Sequence, residues 1–310
     1  MFLNKGTVIK TTGSWHTVRD GNRIILCKMR GKFRERELKL TNPLAVGDFV
    51  AYETDSHGNS IITGIEPRKN YIIRRSSNLS KEAHIIASNI DQALLMVTLV
   101  MPATPLEFID RFLLSAEAYH IPVVIVVNKT DLLKEESITS LRSVLQTYRF
   151  AGYTCLEISV KDKSGIEPLI ELIQHKTSLL AGNSGVGKSS LINLICPGLQ
   201  LKIMDISAAH KTGRHATTYA EMIPLPFGGS IIDTPGIRGF GIIDIEKNEI
   251  GLYFTDIFRI SQDCSFYNCT HIHEPGCAVR KAVENGVLAS SRYQSYSNIF
   301  LDRNEKYRIG

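Results

Sequence analysis

The chain has 310 residues, room for two or three domains, and its 43% apolar and 22% charged residues are those of an ordinary globular protein. No apolar run approaches the ~18 residues of a membrane span, and the N-terminus MFLNKGTVIK has no signal-peptide core, so a cytoplasmic protein with no membrane role is expected. The net charge of +5 sits at the N-terminus: residues 1–70 carry 12 Lys/Arg against 7 Asp/Glu, a bias that admits a polyanionic partner without requiring one.

Residues 1–68 alternate with the period of short strands. GTVIKTTG, SWHTVRD, NRIILCKMRG, GDFVAYE and SIITGIE are separated by turn residues such as Asp20-Gly21. Five short strands in so few residues predict a small barrel of the OB-fold type. Between the third and fourth strands lies a basic stretch, Lys28, Arg30, Lys32, Arg34, Arg36 and Lys39, with Phe33 inside it. Such a loop can meet a phosphate backbone or only keep the barrel soluble. Residues 67–88 read as a polar, basic linker. From residue 90 onward, apolar runs alternate with helical periodicity. IDQALLMVTLV and PVVIVV are buried strands, and 106–119, 137–148 and 166–174 are helices. This alternation predicts a mostly parallel, doubly wound sheet. Beyond residue 240 the pattern changes to short helices over 246–260, 278–285 and 289–307.

The stretch TSLLAGNSGVGKSS carries the most specific chemistry. Gly182, Asn183, Ser184, Gly185, Val186, Gly187, Lys188 and Ser189 match the phosphate-binding loop G-x-x-x-x-G-K-[ST] at every fixed position. Its glycines let backbone N–H groups turn toward an anion, and the helix opening at Ser189-Ser190 aims its N-terminus there too. Lys188 offers a fixed charge to the outer phosphates, and Ser189 a hydroxyl to Mg²⁺. Asn128-Lys129-Thr130-Asp131 ends the PVVIVV strand. A carboxylate there can accept from both Watson–Crick donors of guanine, and adenine has no such pair, so the spacing predicts GTP or GDP as ligand rather than ATP. Ser159-Val160-Lys161 follows the next strand and is similar to the SAK loop of GTPases, with Val160 replacing the usual Ala.

Asp233-Thr234-Pro235-Gly236 closes a later strand. Asp233 is placed to hold Mg²⁺, and the Gly236 N–H to meet the γ-phosphate. Ile237 stands where Ras-type GTPases carry a water-orienting Gln, which predicts slow unassisted hydrolysis. The loop before it contains Gly213-Arg214-His215-Ala216-Thr217-Thr218. Thr217 is the expected second Mg²⁺ ligand, with Thr218 close behind, and His215 is the local candidate for orienting water. Near the C-terminus, Cys264, Cys269, His271 and Cys277 supply a Cys₃His set, which fits one closed, structural Zn²⁺ site. His273 is the alternative imidazole.

Ordinary GTPases run from phosphate loop to DxxG to NKxD. Here NKTD comes first, the phosphate loop follows, and DTPG is last, the order of a circular permutant. With GNSGVGKSS, GRHATT, DTPGIRGFG and CSFYNCTHIHEPGC in that order, the chain resembles the ribosome small subunit-dependent GTPase A (RsgA/YjeQ) family over nearly its whole length. Ala216 departs from the family's usual Thr, so the choice between Thr217 and Thr218 stays open. The resemblance implies an N-terminal OB-fold β-barrel over 1–68, a central α/β circularly permuted P-loop GTPase domain over 69–240 and a C-terminal α-helical zinc-binding domain over 241–310. It implies GTP hydrolysis in late maturation of the small (30S) ribosomal subunit, stimulated by that particle. The partners would be the 30S subunit and its 16S rRNA, with Mg²⁺ accompanying GTP, one structural Zn²⁺, and a cytoplasmic monomer as the working form. Two other readings stay in view: a GTP-dependent ribosome-binding module whose hydrolysis is incidental, and a nucleotide kinase, against which NKTD counts.

Overall fold

The computed structural model describes residues 4–29, 43–75, 83–199, 220–234 and 245–301. Most of the basic stretch, His215, Thr217, Thr218, Gly236 and Ile237 lie outside the described residues.

Alternation over the first 65 residues becomes five strands: β1 (Asn4–Thr12), β2 (Trp15–Asp20), β3 (Arg23–Met29), β4 (Phe49–Thr54) and β5 (Ser60–Ile65). They pair in the order β1-β2-β3-β5-β4, and β4 closes back onto β1, which makes a barrel. Side chains on one face of the strands fill it: Val8, Val18, Cys27, Val50, Tyr52 and Ile62, plugged by Leu44.

Residues 67–88 are not a bare linker. β6 (Tyr71–Arg75) and β7 (Ala83–Ser88) form an antiparallel hairpin wedged between barrel and central domain. The buried Asp48 carboxylate ties it down. It accepts from Arg68 Nε at 2.7 Å and Nη2 at 2.8 Å, and from Ser88 Oγ at 2.6 Å. The linker expectation failed because the polar residues here are satisfied by barrel partners distant in sequence.

The central sheet is built from β8 (Gln92–Val97), β9 (Val123–Val127), β10 (Thr154–Glu157), β11 (Thr177–Ala181), β12 (Glu221–Pro224) and β13 (Ser230–Asp233), in the order β10-β9-β8-β11-β13-β12. All pairings are parallel except β12 with β13. Period-two alternation divides the strands between two cores. Ala93, Leu95, Val97, Ile125 and Leu179 face α1 (Leu106–Ala118) and α2 (Glu135–Phe150). Leu94, Met96, Val124, Val126 and Leu180 face α3 (Ile166–Ile173) and α4 (Lys188–Ile195). The strand order reverses between β8 and β11, the chain building outward to β9 and β10 on one side and to β13 and β12 on the other, and that switch point opens a crevice at the carboxyl ends of the strands.

The C-terminal region folds as a 3-10 helix over Lys247–Tyr253, then α5 (Thr255–Ser261), α6 (Ala278–Glu284) and α7 (Ser290–Phe300). The single helix expected over 246–260 is broken at Phe254. Its backbone is extended at ψ 92°, which turns the buried ring into the domain's own core. The last helix is described as far as Phe300, within the 289–307 expected.

The C-terminal domain docks on the central one through a buried charge cluster. Arg292 of α7 donates to Asp256 of α5 from Nε at 3.0 Å and Nη2 at 2.8 Å, and to Asp110 of α1 from Nη1 at 2.8 Å. All three side chains are at most 1% exposed. Tyr148 of α2 donates a further bond to Asp110 at 2.9 Å, and the guanidinium lies 4.6 Å from the centre of the Phe254 ring. Removing one partner of such a cluster strands charge in an apolar interior, at a cost of about 3–5 kcal/mol. Arg292→Met should therefore lose about that much in urea unfolding, and Arg292→Met with both Asp110→Asn and Asp256→Asn should recover part of it. A loss of Arg292→Met below about 1 kcal/mol, the scale of exposed pairs, would contradict this account of the interface.

Candidate functional site

β11 is almost wholly buried and delivers the chain into the crevice at Gly182. Gly182 has φ 139°, and a Cβ there would collide with the Met96 carbonyl of β8. Gly187 has φ 104°, and a Cβ there would collide with the Asn128 amide. Both glycines are therefore demanded by close backbone approach, and not only by turn shape. Val186 between them is fully buried and pins the loop to the core below. α4 starts at Lys188, and no side chain caps its first turn. Lys188 Nζ folds back over the loop to the carbonyls of Gly182 at 2.7 Å and Asn183 at 2.9 Å. This gives a concave backbone surface crowned by an ammonium, a site suited to linked phosphates.

Asn128 joins three loops. It ends β9, is buried, and donates from Nδ2 to the Val186 carbonyl at 2.8 Å. Its Oδ1 accepts from the Val160 N–H at 3.1 Å. One side chain thereby fixes the phosphate loop and the Ser159-Val160-Lys161 loop relative to NKTD. The Lys129 backbone is left-handed at φ 64°, and its ammonium donates to the Met101 carbonyl at 2.6 Å. Burial lowers the Lys129 pKa, and Asp131 partly restores it. Thr130 Oγ1 donates to the Ile158 carbonyl at 3.0 Å. Asp131 Oδ1 accepts from Ser159 Oγ at 2.7 Å, and Lys161 Nζ lies 3.7 Å from Oδ2. The Asp162 N–H donates to Ser159 Oγ at 3.1 Å, so the Ser159 proton points to Asp131. The arrangement orients a carboxylate that still has lone pairs to offer a planar base.

Asp233 ends β13, in register with Leu180 of β11 and opposite Glu221 of β12. It therefore stands on the β12 side of the phosphate-loop strand. Burial pushes its pKa up, Lys188 draws it back, and Glu221 adds to the rise. A buried acid with that bias gains by meeting a cation. Asp233 and Ser189 could together hold Mg²⁺ at the mouth of the loop.

A second site lies in the C-terminal domain. The ligand atoms of Cys264, Cys269, His271 and Cys277 all fall within 4.8 Å of one another. His271 Nδ1 is 3.6 Å from Cys264 Sγ and 3.5 Å from Cys277 Sγ. Tetrahedral zinc with bonds of about 2.0–2.3 Å needs ligand separations of about 3.5–3.8 Å, so the donor set fits that ion. His271 is buried, while His273 is exposed and outside the cluster. Tyr293 and Tyr296 donate to the carbonyls of His271 and Thr270, each at 2.7 Å, and Glu274 accepts from the Thr270 N–H at 3.0 Å. These bonds set the ligand loop from outside.

The model of the RsgA GTPase family matches residues 65–243, and that of the RsgA N-terminal domain matches residues 5–62. The chain belongs to the RsgA GTPase family. It is 51% identical over 306 residues to the small ribosomal subunit biogenesis GTPase RsgA of Bacteroides fragilis, covering 98% of this chain and 99% of that one. It is 46% identical over 309 residues to the protein of that name from Christiangramia forsetii, covering 98% of each. Among solved structures, YjeQ from Thermotoga maritima superposes with a TM-score of 0.79 at 38% identity, covering 97% of this chain and 98% of that one. YloQ, described as a circularly permuted GTPase, superposes with a TM-score of 0.76 at 32% identity, covering 99% and 98%. The RsgA architecture of barrel, P-loop GTPase domain and Cys/His cluster is thus the architecture of this chain. No helix among the described residues is long and apolar enough to cross a membrane. Three residues beside the sites were missed by sequence reading: Met101, Glu221 and Glu274. Met101 and Glu221 act through residues distant in sequence, and Glu274 through Thr270 inside the ligand loop itself.

Proposed function

We propose that the chain is a GTPase of small-subunit maturation, hydrolysing GTP to GDP and phosphate when it engages the 30S particle. One observation carries this reading: Asn128 binds the phosphate loop and the 159–161 loop into a single pocket wall, beside a carboxylate already oriented by Ser159. Asp131 reads guanine. The backbone of 182–187 and Lys188 receive the phosphates, with Ser190 in the first turn of the helix behind them. Mg²⁺, when bound with GTP, supplies charge neutralisation at the β- and γ-oxygens. Ser189 and Asp233 would hold it, joined by Thr217. His215 and the Gly236 N–H complete the assignment on the γ-phosphate side. The zinc site is structural, since four protein ligands leave no open position.

The division into 1–68, 69–240 and 241–310 is supported by a main hydrophobic core in each part, with Val46 and Ile9 of the first and Leu114 of the second crossing into the neighbouring core. We take the 16S rRNA as the barrel's polyanionic partner, because the Lys/Arg excess lies in that domain. We take the working form to be a cytoplasmic monomer, whose barrel closes on itself through β4 and β1. Cosedimentation with 30S particles under GDP, GTP and a non-hydrolysable GTP analogue tests the reading. The analogue should hold the protein on the particle and GDP should release it. Equal recovery under all three would sink the proposal that nucleotide state controls binding.

A further inference from the structure

The barrel does not sit beside the nucleotide domain as a separate module. Its first strand extends the central sheet: Lys10 of β1 pairs in register with Glu221 of β12. β12 in turn pairs with β13, and Glu221 stands directly across from Asp233. A register shift between Val8 and Lys10 in the pairing of β1 with β2 marks a bulge at Ile9. Side chains alternate along a strand, so neighbouring residues here reach different cores. Val8 is buried in the barrel, whereas Ile9 packs against the core of the central domain.

Side chains add to the backbone grip. Lys10 Nζ meets Glu221 Oε2 at 3.2 Å. From β2, Arg19 Nη2 donates to Ser230 Oγ of β13 at 3.1 Å and lies 3.8 Å from Met222 Sδ of β12. The hairpin thus holds both strands, one at each end of the β12–β13 pair: Lys10 where β13 delivers Asp233, and Arg19 where β13 begins. The Lys10–Glu221 pair, with side chains 42% and 44% exposed, contributes little stability alone. Its weight is positional, because an unpaired Glu221 would face Asp233 as a like charge directly opposite on an antiparallel ladder.

We infer that the β1–β2 hairpin positions the strand pair carrying Asp233, with Lys10 and Arg19 as positioning residues, so that a load on the barrel is felt at the Mg²⁺ site. This rests on the assignment of Asp233 to Mg²⁺ in the proposed function. Linkage then runs both ways: what binds the barrel alters the affinity for Mg²⁺-nucleotide, and nucleotide alters the barrel's hold on its partner.

The test uses full-length, zinc-loaded protein and a non-hydrolysable GTP analogue, titrated with Mg²⁺ and with EDTA. The readout is the gain in affinity that Mg²⁺ brings. Lys10→Glu and Glu221→Lys should each cut that gain about threefold to fivefold and leave the affinity in EDTA unchanged, and Lys10→Glu with Glu221→Lys together should restore it to within about twofold. Urea midpoints of all three variants serve as the check on folding. A bare charge effect gives a different pattern, with Lys10→Glu raising the gain and Glu221→Lys lowering it. That pattern, no change in either single variant, or failure of the double variant to restore the gain would each overturn the inference. A wild-type protein with no Mg²⁺ gain at all would overturn the Asp233 assignment, and the inference with it.

Discussion

Replacing Asp131 by Asn will weaken GTP binding by about 10²–10⁴-fold and make xanthosine triphosphate the better ligand. The size follows from two charge-assisted hydrogen bonds, each worth about 1.5–3 kcal/mol, between the carboxylate and guanine's ring N–H and amine. The direction follows from Ser159. Its hydroxyl receives the Asp162 N–H and so gives its own proton to Asp131. In the variant that proton holds the amide oxygen on the Ser159 side and turns the NH₂ toward the base. An NH₂ there opposes guanine's amine and suits the carbonyl that xanthine carries instead. Isothermal titration with both nucleotides measures the exchange. GTP affinity within about threefold of wild type would remove Asp131 from base recognition.

The parts legible in the sequence are those written as short fixed spacings. Gly182 to Ser189, Asn128 to Asp131 and the Cys/His set each lie within one turn or loop, so local chemistry dictates them. The barrel was legible because alternation and turn residues repeat five times over a short stretch. Long-range satisfaction of polar groups was not legible. Arg292 sits in a helix rich in Arg, Tyr and Ser, a composition that gives no sign of a buried charge. Its burial depends on Asp110, 182 positions away. The β6–β7 hairpin read as a linker for the same reason, since Asp48 neutralises Arg68 from inside the barrel. No local motif marks Glu221. Only the fold brings Lys10 to it and sets Asp233 opposite.

Two routes connect the nucleotide site to surfaces a large partner can grip. One runs through β12 and β13 to the barrel. The other runs from Lys129 through Met101 to the segment that leads into α1, and from Asp110 of α1 to Arg292 of the C-terminal domain. A partner touching both outer domains therefore pulls on opposite sides of the crevice. That geometry supports the proposal that, in a chain with Ile237 where other GTPases carry a water-orienting Gln, the partner completes the catalytic arrangement.

Steady-state GTP hydrolysis with titrated 30S subunits, with 50S subunits and with no ribosomes tests this claim most directly. Groups supplied in trans raise the turnover of other GTPases by about 10³–10⁵, and stimulation on that scale is the upper range expected here. Stimulation should be confined to 30S and should fall as salt rises at subsaturating particle, since a basic barrel that binds rRNA, as proposed, would displace its counterions. Equal rates in all three conditions, from protein shown to bind GTP, would contradict the account.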